Sequence, residues 1–369
     1  MGERIVVMMR PSVPKTFLET MTSERTTIRE LARLSGVSIG TVSRALNGYV
    51  DVRSETRERI IRLAEELDYT PSASARTLVT QRSHVLGVFL DTGEGHPDLQ
   101  HPFFHEVLVG VQETAGREGF DLLLFATEQP GDGYGHHSYV KRCRHHNVGG
   151  VVLMGVEHDE EEVRRLCASS IACIGVDVEL RGRATGYVSS DNVSGGAMAV
   201  RHLVQLGHRR IATIHGPVET VPGLDRLRGY RQGLQEAGLA FRDEYVTLGD
   251  FYVESGERMA RRLLALPERP TAIVAASDLM AVGALRAAAE IGLRVPDDLS
   301  VVGFDDIMLA AHLQPGLTTL RQNKAGLGAA AARALLDRIA RLADPPAVVT
   351  LPVELVVRCS TAPPSAARD

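Results

Sequence analysis

Residues 26–48 read TTIRELARLSGVSIGTVSRALNG, and their spacing decides how the first domain folds. Thr27-Ile28-Arg29-Glu30 has the form of a capping box, in which a hydroxyl and a carboxylate three residues apart satisfy unpaired N–H groups at a helix start. A helix therefore begins at Thr27, with Ile28, Leu31 and Ala32 on one apolar face. Ser35-Gly36-Val37 makes a turn, and a second helix runs from about Ser38 to Leu46, burying Val42 and Leu46. A third helix, capped by Ser54, carries Ile60, Leu63, Ala64 and Leu67 at helical spacing. Three short helices around one apolar cluster close a small domain near Asp68. Gly40 stands out inside the second helix, because glycine costs about 1 kcal/mol against alanine there.

Past this domain, Pro71 stops the preceding helix and YTPSASARTLVTQRSH offers only Ala75, Leu78 and Val79 as useful apolar side chains. Such a segment is too polar to hold a helix alone. From Val85 the texture changes to buried strands alternating with amphipathic helices: VLGVFLD, FDLLLFA, GGVVLMG, IACIGVD, GYVSSD, RIATIHG, TAIVAAS and LSVVGFD. That alternation specifies parallel sheets flanked by helices, and a body of this size calls for two such layers.

A chain of 369 residues, 44% of them hydrophobic, is long enough for two or three domains. Its net charge of -5 is unevenly spread. From Glu24 to Arg82, ten Arg and no Lys face eight Asp and Glu, whereas from Ser83 onward 28 basic residues face 36 acidic ones. A mildly basic head on an acidic body suits a small nucleic-acid reader carried by a larger domain with another task. Cys143, Cys167, Cys173 and Cys359 show neither CxxC spacing nor disulfide-scaffold density, which points to a reduced, cytoplasmic protein. No apolar run approaches a membrane span, so no membrane association is expected, and the first 25 residues contain no secretory core or cleavage site.

TIRELARLSGVSIGTVSRALNG, then ARTL in the linker, then HPFF, VSSDN, RLRGY and VVGFDD in the body together resemble the LacI family of bacterial transcriptional regulators. The resemblance covers about Thr26 to Ser360. It implies an α/β fold: a two-lobed, periplasmic-binding-protein-like body of doubly wound parallel sheets, preceded by a three-helix helix-turn-helix domain and a hinge helix. The expected organisation is a disordered extension over 1–25, the helix-turn-helix domain over 26–69, a hinge over 70–84, the body over 85–360 and a disordered tail over 361–369. Crossings near Gly186, Leu320 and Leu351 divide the body into lobe 1 (85–186 and 321–350) and lobe 2 (187–320 and 351–360).

The resemblance further implies that the second helix enters the major groove of double-stranded operator DNA. Thr27, Ser38, Thr41 and Ser43 then supply hydroxyls and helix N-terminal N–H groups for phosphates, although Ser38 and Thr41 can equally serve as caps. Arg44 reaches guanine O6 and N7, and the apolar surface of Ile39 suits a thymine methyl. Gly40 makes no side-chain contact with a base and lets the backbone approach, leaving the reader tolerant at one operator position. Asn47 contacts backbone or base near the helix end. In the linker, Leu78 matches the family's leucine that wedges into a central base step, with Ala75 beside it in the minor groove; the alternative for Leu78 is packing within the hinge. Two hinges must meet for that geometry, so a homodimer on a pseudo-palindrome is implied.

Between the lobes the family binds a small effector. Phe103, Phe104 and Phe251 are candidates for the flat face against a ring, with core packing as the alternative for each. Arg226 and Asp305 pair a forked donor with an acceptor for vicinal hydroxyls, and Asp177, Asp191 and Ser277 add further polar contacts. Several carboxylates favour a neutral polyol, hence a sugar, with a nucleoside or purine as the alternative ligand. The loop DTGEGHPDLQHPFF is longer than the family's usual one, and His101 stands where asparagine is common before the proline.

Other functions have less support. GHHSYVKRCRHHN gathers His136, His137, Cys143, His145 and His146, but lacks the i, i+4 pairing of helical metal ligands, so no metal or cofactor is expected. The periplasmic sugar-binding proteins share the body but carry no fused head. With no P-loop, GxSxG or HExxH motif no enzyme is expected, and a cytosolic sugar-binding or sugar-processing protein stands as the alternative to a regulator.

Overall fold

The computed structural model describes residues 26–46, 48–69, 83–90, 99, 101–125, 138–156, 161–341 and 347–365. The chain forms two units, divided between Arg82 and Ser83. Asn47, Ala75 and Leu78, with the rest of the expected hinge up to Arg82, lie outside the described residues, as do the extension 1–25, His136 and His137.

The first unit holds helices α1 (Ile28–Ser35), α2 (Ile39–Leu46) and α3 (Ser54–Glu66). Thr27 caps α1 by accepting from the Glu30 amide at 3.3 Å, and Gly36 ends it in the left-handed conformation at φ 69°, where a Cβ would be strained. The three helices enclose Leu31, Ala32, Val42, Ala45, Val52, Ile60 and Ala64. Two sequence expectations need adjusting. Arg53, not Ser54, is the N-cap of α3 and makes no side-chain capping bond; Leu46 is only half-buried, Ala45 and Val52 taking the inner positions.

The body contains two six-stranded sheets. In lobe 1, β1 (Val85–Leu90), β2 (Asp121–Phe125), β3 (Gly150–Met154), β4 (Ala172–Val176), β5 (Thr185–Ser190) and β11 (Ala347–Leu351) are all parallel, in the order β11-β5-β4-β3-β1-β2. In lobe 2, β6 (Ile211–His215), β7 (Val246–Leu248), β8 (Ala272–Ala275), β9 (Ser300–Asp305) and β10 (Thr318–Gln322) are parallel, and β12 (Val353–Val356) closes the edge antiparallel to β10. The helices are α4 (Pro102–Arg117), α5 (Tyr139–His145) and α6 (Glu161–Cys167) in lobe 1. They continue as α7 (Asn192–Gln205), α8 (Val221–Glu236), α9 (Val253–Leu264), α10 (Asp278–Glu290) and α11 (Met308–His312) in lobe 2, and α12 (Lys324–Ala340) back in lobe 1.

The central strands are buried along their whole length, because helices cover both faces of each sheet. α4 and α12 pack so closely that a Cβ on Gly110 would lie 2.0 Å from the Ala325 carbonyl oxygen, and one on Gly328 2.0 Å from that of Val107. Backbone-to-backbone contact of this kind ties the returning helix α12 firmly to lobe 1.

The chain crosses between lobes at Asp191, Asn323 and Pro352. The first crossing falls later than Gly186 because Thr185–Ser190 is one strand paired with β4 and β11, and the second later than Leu320 because β10 runs on to Gln322. Within the tail expected to be disordered over 361–369, residues 361 and 362 are corrected: the Thr361 hydroxyl bonds to His202 Nε2 at 2.9 Å, and the Ala362 carbonyl accepts from His208 Nε2 and Ser300 Oγ, while 366–369 lie outside the described residues. Buried imidazole and hydroxyl groups need partners, and the Thr361 hydroxyl and the Ala362 carbonyl supply them. All four cysteines are free thiols.

Candidate functional site

In the head, Ser38 precedes α2 and its hydroxyl accepts from the Thr41 amide at 3.1 Å while contacting the Thr41 hydroxyl at 2.9 Å. The N-terminal amides of a helix so capped point outward and favour an anion. Ser38, Ile39, Gly40 and Arg44 are exposed, and Thr41 and Ser43 half-buried. Ile39 leaves 46% of its surface uncovered, an expense for an isoleucine with no partner in the head. A Cβ on Gly40 would meet only the Ser38 hydroxyl, at 3.7 Å, so the space beside this helix is open. Arg44 pairs with Asp51 at 3.2 Å, both largely exposed. An exposed pair of this kind is worth about 0–1 kcal/mol and releases its arginine easily.

In the body, the carboxyl ends of the strands of both sheets converge on a cleft, and Arg226 of α8 lies at its centre. The guanidinium is buried, with Cζ 3.8 Å above the Phe304 ring and 5.9 Å from the Phe251 ring centroid. Its Nε donates to Asn192 Oδ1 at 2.8 Å, its Nη1 donates to the Ala276 carbonyl, and Nη1 lies 3.7 Å from Asp305 Oδ1. Burial pulls the guanidinium below its ordinary range, and the carboxyls of Asp305, Asp177 and Asp278 oppose that pull. In return, burial pushes the carboxyls of Asp177 and Asp278 up, with the charge of Asp305 adding to both. Arg226 is thus the hub that makes a carboxyl-rich cleft tenable.

Backbone geometry marks the same place. Asp177, Phe251, Asp305 and Asp306 all adopt positive φ, at 57°, 74°, 121° and 53°. Such conformations cost roughly 1–3 kcal/mol each and persist where neighbours enforce them. The neighbours are visible. The Ser277 hydroxyl donates to the Phe251 carbonyl at 2.8 Å, and the tip of the Phe251 ring packs against Gly216, where a Cβ would come within 2.1 Å of it. Lys324, at the start of α12, donates from Nζ to the carbonyls of Asp305 and Asp306 at 2.7 and 2.9 Å and pairs with Glu106 of α4 at 3.5 Å. A lobe-1 lysine therefore holds the strained strand end of lobe 2.

The candidate residues separate into three groups. Arg226, Asp305, Asp177 and Phe251 come together in the cleft. Phe103 and Phe104 stand in edge contact at 5.3 Å, Phe103 buried in the lobe-1 core and Phe104 packed partly against it. Asp191 and Ser277 are corrected to structural roles: Asp191 caps α7 by accepting from the Ser194 amide, and the fully buried Ser277 caps α10 by accepting from the Met280 amide. A hydroxyl that already donates to Phe251 and accepts from Met280 has little left for a ligand.

Two neighbours, Asn192 and Gln322, were not singled out by sequence pattern, and a third, His101, was marked only as a departure from it. Asn192 orients Arg226, Gln322 donates from Nε2 to Asp305 Oδ1 at 2.6 Å, and His101 stands in edge contact with Tyr252 across the lobes at 5.5 Å. His101 differs from the family's usual asparagine, and that difference was its signal; Asn192 and Gln322 read as ordinary residues flanking strands. Four polar atoms here are buried without a hydrogen-bond partner: Ser190 Oγ, His101 Nε2, Asp305 Oδ2 and Gln322 Oε1. Buried polar groups are nearly always paired, so such a cluster calls for explanation. Among the described residues no group of three His, Cys, Asp or Glu is placed to hold a metal, and no helix is long and apolar enough to cross a membrane.

Known proteins share both parts. A model of bacterial regulatory proteins of the lacI family matches residues 27–72, and one of a periplasmic binding protein-like domain matches residues 200–361. The HTH-type transcriptional regulator CelR of Thermobifida fusca is 37% identical over 337 residues, covering 90% of this chain and 98% of that protein. The HTH-type transcriptional repressor PurR of Erwinia tasmaniensis is 35% identical over 344 residues, covering 91% and 97%. Among solved structures, a CelR–cellobiose complex matches with a TM-score of 0.67 at 33% identity, covering 91% of this chain and all of that one. A lac repressor dimer bound to operator and the anti-inducer ONPF matches with a TM-score of 0.76 at 29% identity, covering 92% and 100%. With its capped helix-turn-helix and its two-sheet body, the chain belongs to the LacI family: it is a DNA-binding transcriptional regulator and not an enzyme.

Proposed function

We propose that this chain is a repressor, acting as a homodimer on a pseudo-palindromic operator, whose hold on DNA is set by a neutral sugar bound between the two lobes. The observation that carries this reading is the set of four buried, unpaired polar atoms around Arg226, from Ser190, His101, Asp305 and Gln322. Two of them are pure acceptors, the carboxylate and the amide oxygen. A ligand rich in hydroxyls donates to both and accepts in turn from a nitrogen or a guanidinium, whereas an anionic ligand would meet Asp305 and Asp177 with like charge. The Phe251 ring adds a flat face for the C–H side of a pyranose. The match to a CelR–cellobiose complex supports a glucoside-type ligand. A purine base, which also stacks on an aromatic ring and carries N–H donors, is the competing ligand.

For the head, Arg44 and Ile39 are the proposed readers of base edges, with Ser38, Thr41, Ser43 and Thr27 on phosphates. Asn47, Ala75 and Leu78 complete this proposed interface.

The test is calorimetry with cellobiose, glucose and hypoxanthine, followed by fluorescence anisotropy on an operator duplex with and without the ligand that binds. Sugar binding that changes operator affinity at least several-fold is expected. Binding of hypoxanthine alone would replace the sugar reading, and sugar binding with no change in operator affinity would remove the regulatory link.

A further inference from the structure

Arg44 lies in the last turn of α2, and its Nη1 donates to Asp51 Oδ2 at 3.2 Å. Asp51 comes from the turn that follows, and that turn is tied down. Gly48 reverses the chain at φ 76°, the Tyr49 amide donates back to the Arg44 carbonyl at 3.0 Å, and Val52 is buried among the three helices. From α3, the Arg57 guanidinium donates to the carbonyls of Tyr49 and Val52, on either side of Asp51. The backbone of Asp51 is thus anchored to both α2 and α3, and its carboxylate stands at a fixed place beside an exposed arginine.

A guanidinium offers five N–H donors in one plane, and a guanine takes two of them, at O6 and N7. Asp51 engages Nη1 and leaves the Nε–Nη2 edge, whose two parallel N–H bonds match that pair of acceptors, without a bond among the described residues. In water the pair adds little to stability, because both side chains are more than half exposed. A carboxylate here also has a cost, since it repels the phosphates that the head must approach and lowers affinity for any duplex. What it supplies is direction. An arginine lying on a fixed carboxylate has fewer rotamers to lose on docking, and the attraction between the two grows as the duplex displaces the water around them.

Resting on the reading of Arg44 as a guanine contact, we infer that Asp51 is a positioning residue for base readout: its carboxylate holds Nη1 of Arg44 so that the Nε–Nη2 edge faces O6 and N7 of one guanine. The head thereby gives up general affinity for DNA in return for discrimination at that base pair.

The full-length protein is offered a pool of random-sequence duplexes, and the retained sequences are read for the wild type and for Arg44→Ala. The guanine whose preference Arg44→Ala loses marks the contacted position. The preferred duplex, one with that guanine replaced by adenine, and a random-sequence duplex are then titrated by fluorescence anisotropy with the wild type, Asp51→Ala, Asp51→Asn, Arg44→Ala and the variant carrying both alanines. Discrimination between the first two duplexes should fall about fivefold in Asp51→Ala, while affinity for the random-sequence duplex rises about twofold as one negative charge leaves the head. A merely structural role would lower both together. Asp51→Asn, which keeps a weaker acceptor, should recover part of the discrimination while showing the same gain on random sequence. In the Arg44→Ala background, Asp51→Ala should change discrimination no further, because no guanidinium is left to hold. Wild-type discrimination in Asp51→Ala, or an equal loss with and without Arg44, overturns the inference and leaves Arg44 as the reader. If the wild type selects no sequence, or Arg44→Ala keeps every preference of the wild type, the guanine reading itself fails and the inference falls with it.

Discussion

In the head, Ile39, Gly40 and Arg44 stand exposed on a helix eight residues long, and the Arg44 side chain makes an exposed ion pair with Asp51. In the cleft, Arg226, Asp305 and His101 are each more than nine-tenths buried, held by helix caps, a shared carboxylate and left-handed backbone. The head can keep its readers loose because a duplex presents a regular array of phosphates and base edges that will order them. The cleft has no such external template. It must be organised before the ligand arrives, since every rotamer left to fix on binding subtracts from affinity. The two regions therefore respond differently to mutation: the cleft in stability and binding together, the head in selectivity alone.

The most severe break in that contrast comes from Arg226→Met. Removing the guanidinium strips Asp305, Asp177 and Asp278 of the cation between them and leaves the Asn192 and Ala276 oxygens without their donor. Loss of one partner from a buried ion pair costs about 3–5 kcal/mol. Urea denaturation followed by circular dichroism should show the body's transition at markedly lower denaturant, and calorimetry should show no effector binding. A body as stable as the wild type would mean that the carboxyls had simply taken up protons, and that the cleft is less organised than its geometry implies.

Next in size is Arg44→Ala. The expected loss is about 1–3 kcal/mol of discrimination between operator and a duplex altered at one guanine. Head stability should move by less than about 1 kcal/mol, because only an exposed pair is lost. Anisotropy titrations on the two duplexes measure the first and thermal denaturation the second. A large fall in stability would erase the distinction between the two regions.

That distinction also explains what could be read from the sequence. The head is local. Thr27, Gly36 and Ser38 do their capping within three or four residues of themselves, so spacing alone located both helices of the motif. Eight strands, β1 to β6, β8 and β9, were equally legible as apolar runs, whereas β7, β10, β11 and β12, shorter, more polar or half-exposed, were not. In the cleft, Arg226 and Asp305 were expected to act together and lie 3.7 Å apart, although 79 positions separate their numbers. Ser277 and Asp191 show the limit. A hydroxyl or carboxylate at a strand end looks the same in sequence whether it faces a ligand or caps the next helix, and only the amides of Met280 and Ser194 decide. Asn192, Gln322 and Lys324 were missed for the opposite reason: their partners come from other strands and the other lobe, where no spacing rule reaches.

The smallest effect sharpens the contrast most. Gly40→Gln introduces a side chain where nothing in the head obstructs it, the nearest atom to a new Cβ being the Ser38 hydroxyl at 3.7 Å. Gln is a better helix former than Gly, so the head should gain about 0.5–1 kcal/mol. In the duplex the amide can pair with adenine N6 and N7 at a position that glycine leaves unread. Binding measured on four duplexes differing at the base pair facing residue 40 should pass from near-uniform to favouring adenine, while effector affinity stays unchanged. Were the helix buried against its own domain, as the cleft helices are, the same substitution would instead unfold the head, and thermal denaturation distinguishes the two outcomes directly.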